Sequence, residues 1–280
     1  MHRSRTICGV GERVDMHDIE PNTSSAADRE LPEPVSILMP ACNEADIIVE
    51  VVDEWVNDVL RFCPAGSELV FDDCSNDGTE KILRDLAVKY PFIRINFAPR
   101  DGFFKSTMRL YRLATCPLIF FTDSDGQYVP AQFWEVARYI GDYDMVHGAK
   151  VDRKDPLYRV RASYVFNMLI RVMFRSRCQD VNSAFRLIRR PMLNAVLHKI
   201  HHLTMLPNAE LYIRGEAAGF RIKNIAVMHR ERKYGKSRSL PFKVFARECW
   251  KAFIGLIRLR TEVAKESVPR AAIAPGKIGK

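Results

Sequence analysis

Beginning at Val35, the chain repeats one pattern: a short, mostly apolar run, then a longer stretch in which apolar residues recur at helical spacing. Val35–Met39, Leu69–Phe71, Ile93–Phe97, Leu118–Thr122 and Met145–Ala149 are the short runs. Between them, Ala45–Phe62 carries Ile48, Val52, Trp55 and Val59 on one helical stripe, and Thr79–Tyr90, Lys105–Ala114 and Pro130–Ile140 follow, the last opened by a proline suited to a first helical turn. Strands that are apolar on both faces need cover on both. The pattern therefore predicts an α/β fold, a mostly parallel sheet with helices on both faces. In such sheets ligands bind at the carboxyl ends of the strands.

After Lys150 the rhythm changes. Tyr158–Phe174 reads as a long helix with only Asn167 and Arg171 as interior polar groups, four residues apart on one face. Phe185–Ile188 and Arg221–Val227 are expected strands, Pro191–His198 and Ala209–Ala218 expected helices, and Phe242–Arg260 is the last periodic segment. Residues 1–34 are polar throughout and 261–280 are rich in Ala, Pro and Lys, so both are expected to be disordered tails around a domain at 35–240 and a helix at 241–260.

Charge is divided unevenly. The net of +9 resolves into about −3 for residues 1–34, about −8 for residues 35–149 and about +20 for residues 150–280. Such a basic half asks for a polyanion: nucleic acid, a phosphorylated substrate or an anionic membrane surface. Runs without a charged residue, such as Pro34–Asn43, reach only about ten residues, short of the roughly eighteen a spanning helix needs. The 7 cysteines are scattered, never in C-x-x-C spacing, and read as reduced and cytosolic.

Three strand ends carry chemistry. Asp123 and Asp125 follow an apolar strand in Phe-Phe-Thr-Asp-Ser-Asp-Gly-Gln, where a turn at Gly126 can bring Asp125 and Gln127 around one cation. Oxygen ligands few enough to leave room for waters and phosphates suit Mg²⁺ or Mn²⁺; the plainer reading is a solvated turn that caps the next helix. Asp72 and Asp73 end another strand, where a carboxylate can accept an N–H from a nucleotide base. Helix capping explains Asp77 and Thr79 but not this adjacent pair. Pro40-Ala41-Cys42-Asn43-Glu44 completes a pocket at a third strand end.

In this order and spacing, Val35–Glu44, Asp72–Thr79 and Asp123–Gln127 resemble the family 2 inverting glycosyltransferases of the GT-A (Rossmann-like) fold. Gln179–Arg186, Asn208–Leu211 and His229–Ser237 extend the resemblance to the dolichol-phosphate mannosyltransferase and bacterial polyprenyl-phosphate glycosyltransferase branch. The resemblance implies that Asp73 binds the base and that Pro40, Asn43 and Glu44 line the nucleoside pocket. Asp123 would face the ribose or sugar, and Asp125 and Gln127 would hold the metal. Arg186, Arg232 and Lys236 would meet phosphates, Asp180 is a candidate catalytic carboxylate, and Asn182 and Glu210 are candidates for binding the acceptor. Read from the residues alone, Arg161 belongs to the arginines around the apolar helix Tyr158–Phe174, which could hold a lipid-linked phosphate head or form a solvated charged face. Pro99–Lys105 departs from the family's more glycine-rich loop, which leaves the donor, GDP- or UDP-linked, open.

The expected activity is metal-dependent transfer of a sugar from a nucleotide-sugar to a polyprenyl phosphate on the cytosolic face of a membrane. A phosphate monoester is already anionic near neutrality, so that acceptor needs no base; a sugar hydroxyl, the alternative acceptor, would require Asp180 or Glu210 to take its proton. A basic nucleic-acid-binding module is the rival of another class, and no nucleic-acid motif supports it. Phe242–Arg260 projects an apolar face opposite Lys243, Arg247, Lys251 and Arg258, as an interfacial helix would, or a core-packing one. His198, His201 and His202 stand at i, i+3, i+4 spacing with no carboxylate or cysteine beside them, a weak signal for a metal.

Overall fold

The computed structural model describes residues 29–151, 157–178, 180–232 and 242–266. Seven strands form one sheet: β1 (Val35–Ala41), β2 (Glu68–Asp73), β3 (Ile93–Phe97), β4 (Leu118–Phe121), β5 (Met145–Val151), β6 (Arg186–Arg189) and β7 (Ile222–Met228). Their order across the sheet is β3-β2-β1-β4-β6-β5-β7. Pairing is parallel from β3 to β4 and between β5 and β7, while β6 runs antiparallel to both of its neighbours.

The helices are α1 (Ile48–Asp58), α2 (Thr79–Lys89), α3 (Phe103–Leu113), α4 (Phe133–Ala137), α5 (Leu157–Phe174), α6 (Arg190–Val196), α7 (Pro207–Ala217) and α8 (Phe242–Glu266). The chain builds β1, β2 and β3 outward in one direction and then returns past β1 to place β4 on its other side. With right-handed crossovers this reversal sends α3 to the sheet face opposite α1 and α2, and it opens a crevice at the carboxyl ends of β1 and β4.

The central strands β1, β2 and β4 are buried along nearly their whole length, while the edge strands β3 and β7 are only half-buried over most of theirs. Trp55, Phe133 and Phe185 converge on Phe120, with ring centroids 5.4, 5.0 and 4.7 Å from it. Each aromatic of this kind contributes roughly 1.5–3 kcal/mol by leaving water, and together they lock α1 and α4 to the sheet below the crevice.

Three expected boundaries move for local reasons. The first helix starts at Ile48 rather than Ala45, because the Glu44 carbonyl accepts the amides of Ile47 and Ile48 in a turn that precedes it. Pro130 opens a 3₁₀ turn, Pro130–Gln132, and only Phe133–Ala137 is α-helical. The last helix runs past Arg260 to Glu266. The expected tail at 261 begins too early: Val263 is buried, and Glu262 and Glu266 pair with Arg214 and Lys199.

Candidate active site at the sheet reversal

The reversal between β1 and β4 is where the two sequence motifs meet. The Ser124 hydroxyl donates to the Pro40 carbonyl at 2.8 Å, tying the turn after β4 to the end of β1. Gly126 has φ +71°, and a Cβ there would stand 2.9 Å from Ile47 Cδ1, so only glycine lets the Asp125 turn seat against the loop that leads into α1. Asp125 Oδ1 accepts the Gln127 amide at 3.1 Å, which closes the turn.

A third segment folds over this turn. Arg230 N–H donates to the Gln127 carbonyl at 2.7 Å, Gln127 Nε2 donates to the Arg230 carbonyl at 3.1 Å, and Tyr128 bridges His229. Arg230 is itself anchored to Glu54 of α1 at 3.1 Å. This clamp delivers Arg232 to the crevice, with its guanidinium 2.7 Å from Asp125 Oδ2 and 3.8 Å from Glu44 Oε1. Glu44, Asp125 and Arg232, from the ends of β1, β4 and β7, thus share one small volume.

Asp123 sits two residues before Asp125, and its carboxyl is pushed up to about 7 by burial and by the Asp125 charge; Lys150, Arg232 and Arg186 offset part of the rise. Two carboxylates held together at this cost to ionisation are relieved by a cation between them. The candidate donors are hard oxygens: Asp125 and Gln127, whose amide nitrogen is committed to the Arg230 carbonyl, leaving Oε1 to accept. This set suits Mg²⁺ or Mn²⁺ with phosphate oxygens completing the shell.

The half expected to bind the base is laced to the same crevice. Asn43, with φ +54°, takes its amide to the Ser75 hydroxyl at 2.7 Å and accepts the Asn76 amide on Oδ1 at 2.9 Å. Asp73 Oδ1 accepts both the Ser75 amide and its hydroxyl, at 3.2 and 2.5 Å. Burial raises the Asp73 carboxyl above its ordinary value although the Ser75 bonds pull it down. The adjacent Asp72 serves the fold instead. Arg109 grips it through Nε and Nη2, both at 2.9 Å, and Asn96 adds a third bond. Neighbouring carboxylates on a strand face opposite ways, and only Asp73 addresses the crevice.

Residues 36–197 match the glycosyl transferase family 2 model. The chain belongs to glycosyl transferase family 2. Among curated relatives, the undecaprenyl-phosphate 4-deoxy-4-formamido-L-arabinose transferases of Pectobacterium carotovorum and Sodalis glossinidius are 25% and 27% identical over 207 and 208 residues, 73% of this chain in each case. The chain spans 62% of the length of these relatives. Among solved structures, the mannosyltransferase of Pyrobaculum calidifontis in complex with GDP-Man and Mn²⁺ superposes with a TM-score of 0.54 at 15% identity, covering 88% of this chain and 78% of that one. Glucosyl-3-phosphoglycerate synthase of M. tuberculosis superposes with a TM-score of 0.60 at 16% identity, covering 82% and 81%. These likenesses establish the GT-A fold.

Not every residue suggested by the family 2 resemblance lies in the crevice. Glu210 is fully buried on α7, where it accepts the amides of His201, His202 and Leu203 and the Arg214 side chain. With its oxygens committed in this way it holds a loop and is not an acceptor ligand. Arg186 is fully buried as well, and its guanidinium is spent on the carbonyls of Asn208, Val181 and Ser183. It shapes the turn before β6 and influences Asp123 only through its charge. Asp180 is buried in that turn, its carbonyl 2.7 Å from His147 Nε2, and Asn182 is half-buried beside it. Arg161 is exposed on α5, and Lys236 lies outside the described residues.

Sequence reasoning misses Lys150. It stands next to the last residue of β5 and its charge lowers the Asp123 carboxyl, and a lysine near the end of a mostly apolar strand is its visible signal.

Proposed function

We propose that this chain is a divalent-metal-dependent inverting glycosyltransferase that moves a sugar from a nucleotide-sugar to a polyprenyl phosphate at the cytosolic face of a membrane. The observation that carries the reading is the convergence of Asp123, Asp125, Gln127 and Arg232 beside a base pocket made by Asn43 and Asp73. Mg²⁺ or Mn²⁺, held by Asp125 and Gln127, supplies positive charge to a departing nucleoside diphosphate. Arg232, 2.7 Å from Asp125, is a fixed cation placed to meet phosphate charge as it develops, and the charge of Lys150 bears on Asp123 with it. Asp73 selects the base by accepting its N–H. Asp123, two residues before the metal ligand Asp125, faces the ribose and sugar.

The names of the curated relatives support a polyprenyl-phosphate acceptor. So does the commitment of Glu210, which leaves the sugar-hydroxyl reading with one fewer candidate base; a phosphate monoester is ionised near pH 6 and needs none.

A surface for the acceptor's membrane is supported by α5 and α8. Among the described residues no helix is long and apolar enough to cross a membrane. Yet Val165, Met168 and Val172 form an exposed stripe on α5 at 49, 42 and 75% exposure, with Arg161, Arg171 and Arg175 around it. Tyr158 of α5 meets Phe245 of α8 edge-on at 5.5 Å, and Trp250 is 63% exposed on the same helix between Arg247 and Lys251. Apolar side chains ringed by basic ones fit an anionic headgroup layer.

The test is direct. With Mn²⁺ and a polyprenyl phosphate in detergent, one member of a panel of GDP- and UDP-sugars should donate to the lipid, and Asp125→Ala should lower that rate at least about 100-fold. Transfer to a free sugar hydroxyl with none to the lipid phosphate would overturn the acceptor. The chain should also float with anionic liposomes at low salt and less at high salt, and Val172→Asp with Trp250→Asp should abolish flotation; equal sedimentation of both proteins would remove the membrane surface.

A further inference from the structure

The structure supplies the carboxylate that the histidine spacing lacks. His201 and His202 stand in the loop between α6 and α7, and Glu262 reaches them from α8, about sixty residues later in the chain. Their ligand atoms lie within 4.8 Å of one another. Glu262 Oε2 is 3.6 Å from His201 Nε2 and in direct contact with His202 Nε2. We propose that His201, His202 and Glu262 form a Zn²⁺-class site that staples α8 to the α6–α7 loop, separate from the metal ligands of the crevice.

The donor set selects the ion. Two imidazole nitrogens and one carboxylate oxygen suit Zn²⁺, which takes nitrogen ligands at about 2.0–2.1 Å and oxygen at about 2.0–2.2 Å, and they suit Mg²⁺ poorly. Tetrahedral ligation at those lengths needs donor atoms about 3.3 Å apart, close to the 3.6 Å between Glu262 Oε2 and His201 Nε2.

The backbone that carries the imidazoles is already held. The buried Glu210 carboxylate accepts the amides of His201, His202 and Leu203 at 3.1, 2.7 and 2.7 Å, which fixes both histidine Cα positions. Arg214, buried beside it, bonds Glu210 and reaches the other oxygen of Glu262, Oε1, at 3.2 Å. That ion pair orients the carboxylate with Oε2 toward the imidazoles, as an outer partner does for a metal ligand. Gly255 completes the seat: a Cβ there would stand 2.5 Å from the His202 carbonyl oxygen, so α8 approaches the loop as closely as backbone allows.

His201 keeps 55% of its side chain exposed, which leaves an entry path and a fourth position for water. Without an ion, the same three groups make a His–Glu hydrogen bond. With one, two chain segments are joined by coordination, and α8 is fixed at the end opposite Trp250.

The experiment uses the full chain carrying Asp125→Ala, which removes the crevice as a competing site, stripped with EDTA and dialysed against ZnCl₂. One Zn²⁺ per chain should bind with micromolar or tighter affinity. Melting temperature should rise by about 5–10 °C at a hundredfold excess over Kd. Co²⁺ in place of Zn²⁺ should give the intense visible absorption of a tetrahedral site. His201→Ala, chosen because its side chain is largely exposed, and Glu262→Gln should each abolish the stoichiometric metal and the Co²⁺ band while circular dichroism stays that of the parent. Zn²⁺ retained in both variants, or no binding in the parent, would overturn the site and leave the cluster as an ion-pair network.

Discussion

Arg232 donates to Asp125 across 107 residues of chain, at 2.7 Å, in the volume where a metal and a diphosphate are expected to meet. A cation from the chain and a cation from solvent compete for one carboxylate. Arg232→Ala should therefore bind free Mn²⁺ several-fold more tightly and yet turn over about 100-fold more slowly, because a donor to the leaving phosphates is lost. Calorimetry with Mn²⁺ alone and initial rates with donor and acceptor separate the two effects. Equal losses in both would mean that Arg232 only supports the fold.

Asp73→Asn keeps volume and removes charge from an atom pair that already serves the Ser75 amide and hydroxyl. Nucleotide affinity should fall about tenfold or more, as for a hydrogen bond to a charged acceptor, with the melting temperature little changed. Titration of the bare nucleoside diphosphate measures it, and an unaltered Kd would place the base elsewhere.

Glu210→Ala should behave as a stability variant. It leaves Arg214 buried beside Glu262 alone and strips three loop amides of their acceptor, for a loss of about 3–5 kcal/mol in denaturant unfolding. The folded fraction should retain donor affinity, which equilibrium binding below the unfolding midpoint can establish.

Glu68 gives the acid limb of stability. Burial raises its carboxyl, but bonds from Ser36, Arg94 and Thr115 prevail and hold it below the ordinary 4.5. A carboxyl depressed in the folded state contributes stability above its unfolded pKa and loses it as pH falls through the folded one. Unfolding free energy should therefore decline below about pH 4.5, and Glu68→Gln, weaker at pH 7, should show a shallower decline. Parallel slopes for the two proteins would assign the acid sensitivity to other groups.

Much of the fold is legible in the sequence because its strands are apolar on both faces, a signal that survives without knowledge of partners. Ile93–Phe97 falls where the apolar run places it, to the residue, and Asp125 and Gln127 come with their turn. What stays hidden is long-range pairing. Asp72 and Asp73 look alike in sequence, and only Arg109 and Asn96, brought over by α3 and β3, show that one is structural. Glu210 reads as an acceptor carboxylate until three amides of a neighbouring loop claim it. Arg186 reads as a phosphate ligand until buried carbonyls use its guanidinium. Glu262 falls in an expected tail because residues 261–280 are rich in Ala, Pro and Lys, though the helix continues to Glu266.

An α-helix of 25 residues is about 37 Å long and has no joint of its own. In α8, Leu256, Leu259 and Val263 are clamped into the body of the domain, while Trp250 stands out in the open. Such a strut carries displacement from one end to the other without slack. A push or pull on the Trp250 end is felt at Glu262, Arg214 and the loop they grip, so the height at which the domain rides above whatever surface it meets is fixed by a rod rather than by a tether.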